Sequence, residues 1–96
     1  MPRYVILMNL TEQGIKNIKK MAQRIEESVK ELASMGGRLI DSYTVMGEYD
    51  YVVVAEAPDD KIIATYLLKL GATGNVRTKT LKAFTKEEFT EIVKKL

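Results

Sequence analysis

The 96-residue sequence contains no cysteine and no histidine. Without cysteine, disulfides, thiolate zinc sites and cysteine nucleophiles are excluded. The lack of histidine removes the commonest general base and the commonest metal ligand. Any chemistry must therefore rest on carboxylates, tyrosine hydroxyls and basic side chains, and we expect no metal site and no cofactor.

Long apolar runs and strong charge imbalance are also missing. No stretch approaches the roughly 20 apolar residues of a membrane-spanning helix, and the start, MPRYVILMNL, lacks the features of a signal peptide. The 15 basic residues are nearly balanced by 13 acidic ones, so the net charge does not indicate a nucleic-acid partner. The basic residues at 16–24 precede acidic ones on the same segment and indicate a solvated helix face. We expect a cytoplasmic protein without nucleic-acid or membrane partners.

The first half of the chain alternates between strand and helix patterns. Residues 3–10 and 50–57 are apolar at nearly every position, which is typical of central strands covered on both faces. Residues 11–35 carry apolar side chains at spacings of three and four and predict one helix with Thr11 as N-cap, in which Gly14 weakens the first turn and indicates an irregular entry. Residues 38–46 have polar side chains on both faces and predict an edge strand.

The second half repeats this alternation and completes the fold. Pro58 ends the second central strand, and Asp59 or Asp60 caps a helix over 60–70 that Gly71 and Gly74 end. A strand follows over 75–84, and a capping box opens a last helix to residue 96. The order β-α-β-β-α-β plus one helix predicts an α+β, ferredoxin-like fold with a four-stranded antiparallel sheet, as a single domain over 1–96.

This fold leaves one sheet face without helices. The central strands nevertheless offer apolar side chains to both faces, which a soluble monomer would expose. The C-terminal helix has an apolar side too narrow to cover a sheet: Phe89, Ile92, Val93 and Leu96. We therefore expect a homodimer in which two sheets pack face to face as an α/β barrel.

Three segments resemble a known family. They are YVILMNLTEQGIKNIK, MGEYDYVVVAEAPDD and GNVRTKTLKAFTKEEF, and together they span nearly the whole chain. The chain resembles the GYD-domain family, although Glu48 separates the glycine from the tyrosine and aspartate of the family motif. The resemblance implies a ferredoxin-like fold and an α/β-barrel dimer, and it implies no reaction.

The Gly47-Glu48-Tyr49-Asp50 stretch supplies the first candidate site residues. Gly47 provides the positive φ that a short hairpin needs, so we interpret it as a structural turn residue. Asp50 has two interpretations. Its carboxylate either locks the turn by accepting backbone N–H groups, or serves as a general base or ligand anchor at the barrel mouth.

Four further side chains are candidate ligand contacts. Tyr43 and Tyr49 suit either core packing or a phenol in a pocket. Asn9 shares a face with apolar residues and needs a polar partner if buried. Arg77 either clamps an anion or protects an edge strand from unwanted pairing.

The expected function is a homo-oligomeric binding or regulatory module. A small organic ligand would lie at the sheet face or in the dimer barrel, contacted by Asn9, Tyr43, Tyr49, Asp50 and Arg77. A cofactor-independent enzyme with Asp50 as base and a tyrosine as its partner is one alternative, which the lack of histidine disfavours. A purely structural oligomer is the other.

Overall fold

The computed structural model describes every residue from Met1 to Leu96. The elements are β1 (Arg3–Leu10), α1 (Glu12–Lys16), α2 (Ile18–Ser34), β2 (Arg38–Thr44), β3 (Tyr51–Glu56), α3 (Asp60–Ala72), β4 (Val76–Ala83) and α4 (Lys86–Lys94). The strands form one antiparallel sheet in the order β2-β3-β1-β4. The predicted α+β fold, with β1 and β3 central, is confirmed.

The core lies between one face of the sheet and helices α2 and α3. Alternate residues of the central strands point towards the helices, because side chains of a strand alternate between faces. Burial of their apolar surface contributes roughly 25 cal/mol per Å² to stability. The buried cluster comprises Tyr4, Ile6, Leu32, Val53, Ala55, Ala57, Ile63 and Tyr66.

The helix predicted over 11–35 is divided at Asn17 into α1 and α2, so its entry is irregular, as Gly14 indicates, but the chain forms two helices and not one. Thr11 caps α1 as expected, accepting the Gly14 N–H at 3.1 Å. Gly14 packs so closely on the start of β4 that an added Cβ would lie 2.1 Å from the Asn75 carbonyl oxygen. Helix α1 therefore packs against Asn75, whereas α2 packs against the sheet. The spacing of apolar residues along the sequence does not distinguish these two packing partners.

Two further boundaries differ from the predictions. The predicted short hairpin is replaced by a longer loop: β2 ends at Thr44, β3 begins at Tyr51, and residues 45–50 connect them. Gly47 lies in this loop with a φ of +112°. Gly71 does not end α3, which continues to Ala72. Gly74, with a φ of +82°, follows the C-cap instead. Only the glycine with positive φ has the backbone conformation that terminates the helix.

Helix α4 projects from the rest of the molecule. It begins with the predicted capping box, in which the Glu88 N–H donates to Thr85 Oγ1 and the Thr85 N–H donates to Glu88 Oε1. None of its residues is buried. The radius of gyration is 14.4 Å, whereas a compact domain of this length has about 12–13 Å. The apolar side of α4 therefore lies exposed in the single chain.

The helices are too short or too polar to cross a membrane.

Candidate functional site: the open face of the sheet

The sheet face opposite α2 and α3 carries a continuous row of partly exposed apolar residues. The strand register places Val5 beside Val54 and Leu81, and Leu7 beside Val52. Leu81 on the edge strand is 54% exposed. Val5, Leu7, Val52, Val54 and Leu81 are called the apolar strip below.

An ion-pair cluster closes one end of the apolar strip. Glu56 is only 9% exposed and lies opposite Arg38 on one neighbouring strand and Arg3 on the other. Arg38 donates from Nε and Nη2 to Glu56 Oε1 at 2.9 and 2.8 Å, and Arg3 Nη2 lies 3.6 Å from Oε2. The hydrogen bonds from Arg38 lower the pKa of Glu56, although desolvation opposes them. The carboxylate is thus held charged between two guanidinium groups.

Sequence reasoning missed this cluster. Arg3, Arg38 and Glu56 lie far apart along the chain, and their contact requires the register of three adjacent strands. The only signal available was the charged residue at the end of an otherwise apolar strand.

Asp50 lies at the opposite end of the apolar strip, in the loop just before β3. Its Oδ2 accepts the Leu10 N–H at 2.8 Å. Its own N–H donates to the Met8 carbonyl and its carbonyl accepts the Val45 N–H, both at 2.9 Å. Asp50 thereby fastens the loop to the last residues of β1, while its Oδ1 has no hydrogen-bond partner in the chain.

Three other candidate residues lie near Asp50. Asn9, half-buried, is the register partner of Arg77 across β1 and β4, one step beyond Leu7 on the same face. Arg77 is exposed and makes no ion pair. The Tyr49 ring lies 5.9 Å from Lys79 Nζ, a cation–π contact at the same end. Asn9, Tyr49, Asp50 and Arg77 therefore form what we call the polar end of the open face.

Tyr43 lies apart from the polar end, on edge strand β2 opposite Val52. Its hydroxyl donates to Asp41 Oδ2 at 2.5 Å, and this hydrogen bond raises the pKa of Tyr43. No tyrosine hydroxyl forms a hydrogen bond with Asp50. The chain also has no cluster of three or more acidic side chains that could hold a metal ion.

The GYD-domain family model matches residues 4–93. The chain belongs to the GYD-domain family.

One relative and two solved structures are informative. A Thermus thermophilus protein named glutamine synthetase and cystathionine beta-lyase binding protein is 39% identical over 84 residues, which cover 86% of this chain and 88% of that protein. MtbAldR matches with a TM-score of 0.69 at 17% identity, over 88% of this chain and 52% of its own, so this chain spans about half its length. A hypothetical protein from Pyrococcus horikoshii matches with a TM-score of 0.57 at 22% identity, over 90% of this chain and 93% of its own. The two structures establish similarity of fold alone.

Proposed function

We propose that residues 1–96 form a single homodimeric binding module that attaches to metabolic enzymes and performs no catalytic step of its own. The observation that carries the proposal is the apolar strip, which is uncovered in the single chain and lies between two polar ends. Exposed apolar areas of this kind mark interaction surfaces in soluble proteins.

A second copy of the chain is the occupant that the open face fits best. Four strands about 4.8 Å apart and about six residues long give a face of about 400 Å² in plan. A stable interface buries roughly 800 Å² of accessible surface per partner. The accessible surface of the side chains exceeds this planar area, and the exposed apolar side of α4 adds to it. One dimer would therefore cover both the open face and the apolar side of α4. In a twofold dimer the same surface of each chain forms the interface, and two apolar strips facing each other are complementary.

The proposal of an enzyme partner rests on the Thermus thermophilus relative. That protein's name states that it binds glutamine synthetase and cystathionine beta-lyase, and the identity of 39% extends over most of both chains. We propose that this chain binds the same two enzymes, in the cytoplasm. A binding role is consistent with a site that has no histidine and no cysteine and in which no phenol is hydrogen-bonded to Asp50.

The polar end provides the proposed contacts for a small organic ligand in the dimer barrel. Asp50 Oδ1 and the Arg77 guanidinium have no partner within the chain, and Asn9 and Tyr49 adjoin them. Tyr43 would contact the ligand from the edge strand. Asp50 has the hydrogen bonds of a turn lock in addition, and no observation favours its use as a catalytic base.

Sedimentation equilibrium at micromolar concentration tests the dimer. The wild-type chain is expected to sediment as a dimer, whereas Val52→Lys, in the middle of the apolar strip, is expected to be a monomer. Leu68→Lys is the matched control, because Leu68 is 75% exposed on α3, away from the open face. A monomeric wild-type chain, or a dimer that Val52→Lys leaves intact, would contradict the proposed interface.

Surface plasmon resonance with purified glutamine synthetase and cystathionine beta-lyase tests the enzyme partners. Binding of the wild-type chain to at least one of them is expected. A correctly folded chain that binds neither enzyme would refute this part of the proposal and leave the dimer unaffected.

A further inference from the structure

A cavity of about 350 Å³ lies between α2 and α3, on the side of the sheet opposite the apolar strip. Its floor includes Met8, Tyr51 and Val53, and its walls come from the two helices. Small-molecule sites typically occupy about 300–1,000 Å³. The cavity is therefore large enough for a compact ligand, and a single chain forms all of it.

The walls of the cavity are mainly apolar and incompletely packed. Ten of its 18 lining residues are hydrophobic. Ile25, Leu39 and Leu70 line it but are only half-buried, although they belong to the inner sides of their elements. Protein interiors normally fill such space to crystal-like density. The gap between the helices thus leaves apolar surface that a ligand can cover.

Asn75 places a fixed hydrogen-bond donor at this cavity. The residue is 3% exposed and lines the cavity. Its Oδ1 accepts Gln13 Nε2 at 3.1 Å, and the same Gln13 nitrogen donates to the Thr73 carbonyl, which settles the orientation of both amides. Asn75 Nδ2 has no hydrogen-bond acceptor in the chain, yet this nitrogen is not fully buried. A largely buried side chain beside the cavity therefore has an unused donor.

The charges around the cavity also leave a donor free. Lys69 is paired with Glu31 at 2.7 Å, and Glu27 accepts Gln23 Nε2 at 3.3 Å. Arg24 lines the cavity and makes no ion pair. Arginine offers five N–H donors and no acceptor. The free donors of Arg24 and Asn75 are accordingly complementary to an acceptor-bearing head group, and the guanidinium charge favours an anionic one. Glu27, whose one partner is the neutral Gln23 amide, also lines the cavity without an ion-pair partner.

We propose that the cavity between α2 and α3 binds a small apolar monocarboxylate, with its hydrocarbon body between the helices and its carboxylate at Arg24 and Asn75. This site is independent of the open face, of the dimer and of the enzyme partners proposed above. It was not anticipated from the sequence, where Arg24 belongs to a cluster of basic residues interpreted as a solvated face.

Methyl and amide NMR titrations of the full chain with octanoate test the proposal. Octanamide and octylammonium serve as neutral and cationic probes of the same length. Octanoate is expected to shift the methyl signals of Met8, Met21 and Ile25 and to leave those of Val5 and Val54 on the open face unchanged. Octanamide should bind more weakly, and octylammonium weakest.

Three variants locate the site. Arg24→Gln is expected to raise the octanoate Kd about tenfold, the loss expected for one charge-assisted hydrogen bond. Val29→Phe, which fills the cavity from α2, should abolish binding. Lys20→Gln, an exposed change on the same helix outside the cavity, should leave the Kd unchanged.

Several results would overturn the proposal. They are an absence of shifts at the cavity methyls with millimolar octanoate, equal affinity for octanoate and octylammonium, and shifts confined to the open face. The proposal would also be overturned if the Val29→Phe chain folds and binds octanoate with an unchanged Kd.

Discussion

Substituting Gly14 by alanine tests the close contact between α1 and the residue before β4. The added Cβ would lie 2.1 Å from the Asn75 carbonyl oxygen, whereas carbon–oxygen contacts are normally about 3.3 Å or longer. Helix α1 would have to move away from β4 by roughly 1.2 Å, the difference between these distances. That movement would break the hydrogen bond from the Thr11 N–H to the same carbonyl, now 2.9 Å long.

The expected loss in the free energy of unfolding follows from three contributions. Overpacking costs about 1–3 kcal/mol, and the lost hydrogen bond costs about 1 kcal/mol. Replacing a helical glycine by alanine returns up to about 1 kcal/mol through backbone entropy. Gly14→Ala is therefore expected to destabilise the protein by about 1–3 kcal/mol, which lowers Tm by about 4–8 °C per kcal/mol in a domain of this size.

Gly71→Ala is the matched control. Gly71 also lies in a helix, but an added Cβ would meet no atom within 4 Å. This variant is expected to gain about 0.5–1 kcal/mol. Urea and thermal unfolding followed by circular dichroism, at equal protein concentrations because dimerisation affects stability, measure both changes. If Gly14→Ala proves as stable as Gly71→Ala, the contact with Asn75 does not constrain α1.

Three further perturbations address the ends of the open face and α4. Asp50→Ala is expected to lower the free energy of unfolding by about 1–2 kcal/mol, because the Leu10 N–H loses a charged acceptor; an unchanged urea midpoint would contradict this. Glu56 has a pKa below its ordinary 4.5 through its bonds with Arg38, so its stabilisation is full above that value and is lost as the pH falls through the lower folded-state pKa. Glu56→Gln should flatten the decline of Tm on acidification, and an identical acid profile would argue against the cluster. Thr85→Ala removes the cap of α4 and should reduce helicity and raise the dimer Kd by up to about thirtyfold, for a cost of about 1 kcal/mol in each of the two protomers; reduced helicity with an unchanged Kd would exclude α4 from the interface.

Much of the fold was predictable because its signals are periodic and local. The apolar runs of β1 and β3 predicted central strands, and the order of elements then restricted the sheet to β2-β3-β1-β4. The caps of α1 and α4 were also recognisable, since the capping side chain and its N–H lie three residues apart.

The candidate site was less predictable. The sequence pointed to Asp50, but the carboxylate's partner, the Leu10 N–H, lies 40 residues away. The grouping of Asn9 with Arg77 depends on the register of β1 and β4. From the sequence, Tyr43 and Tyr49 had the same two interpretations, core packing or a phenol in a pocket. In the structure the Tyr43 hydroxyl donates to Asp41, whereas the Tyr49 ring contacts Lys79.

The sequence by itself determined the element order, the two central strands and the family, because these depend on the spacing of apolar residues and on contiguous motifs. Only the tertiary structure decided the interruption at Asn17, the Arg3–Glu56–Arg38 cluster, the exposed position of α4 and the cavity between α2 and α3. Each of these depends on the distance between groups far apart in the chain. Such distances arise when helices and strands pack, and no local pattern of residues encodes them.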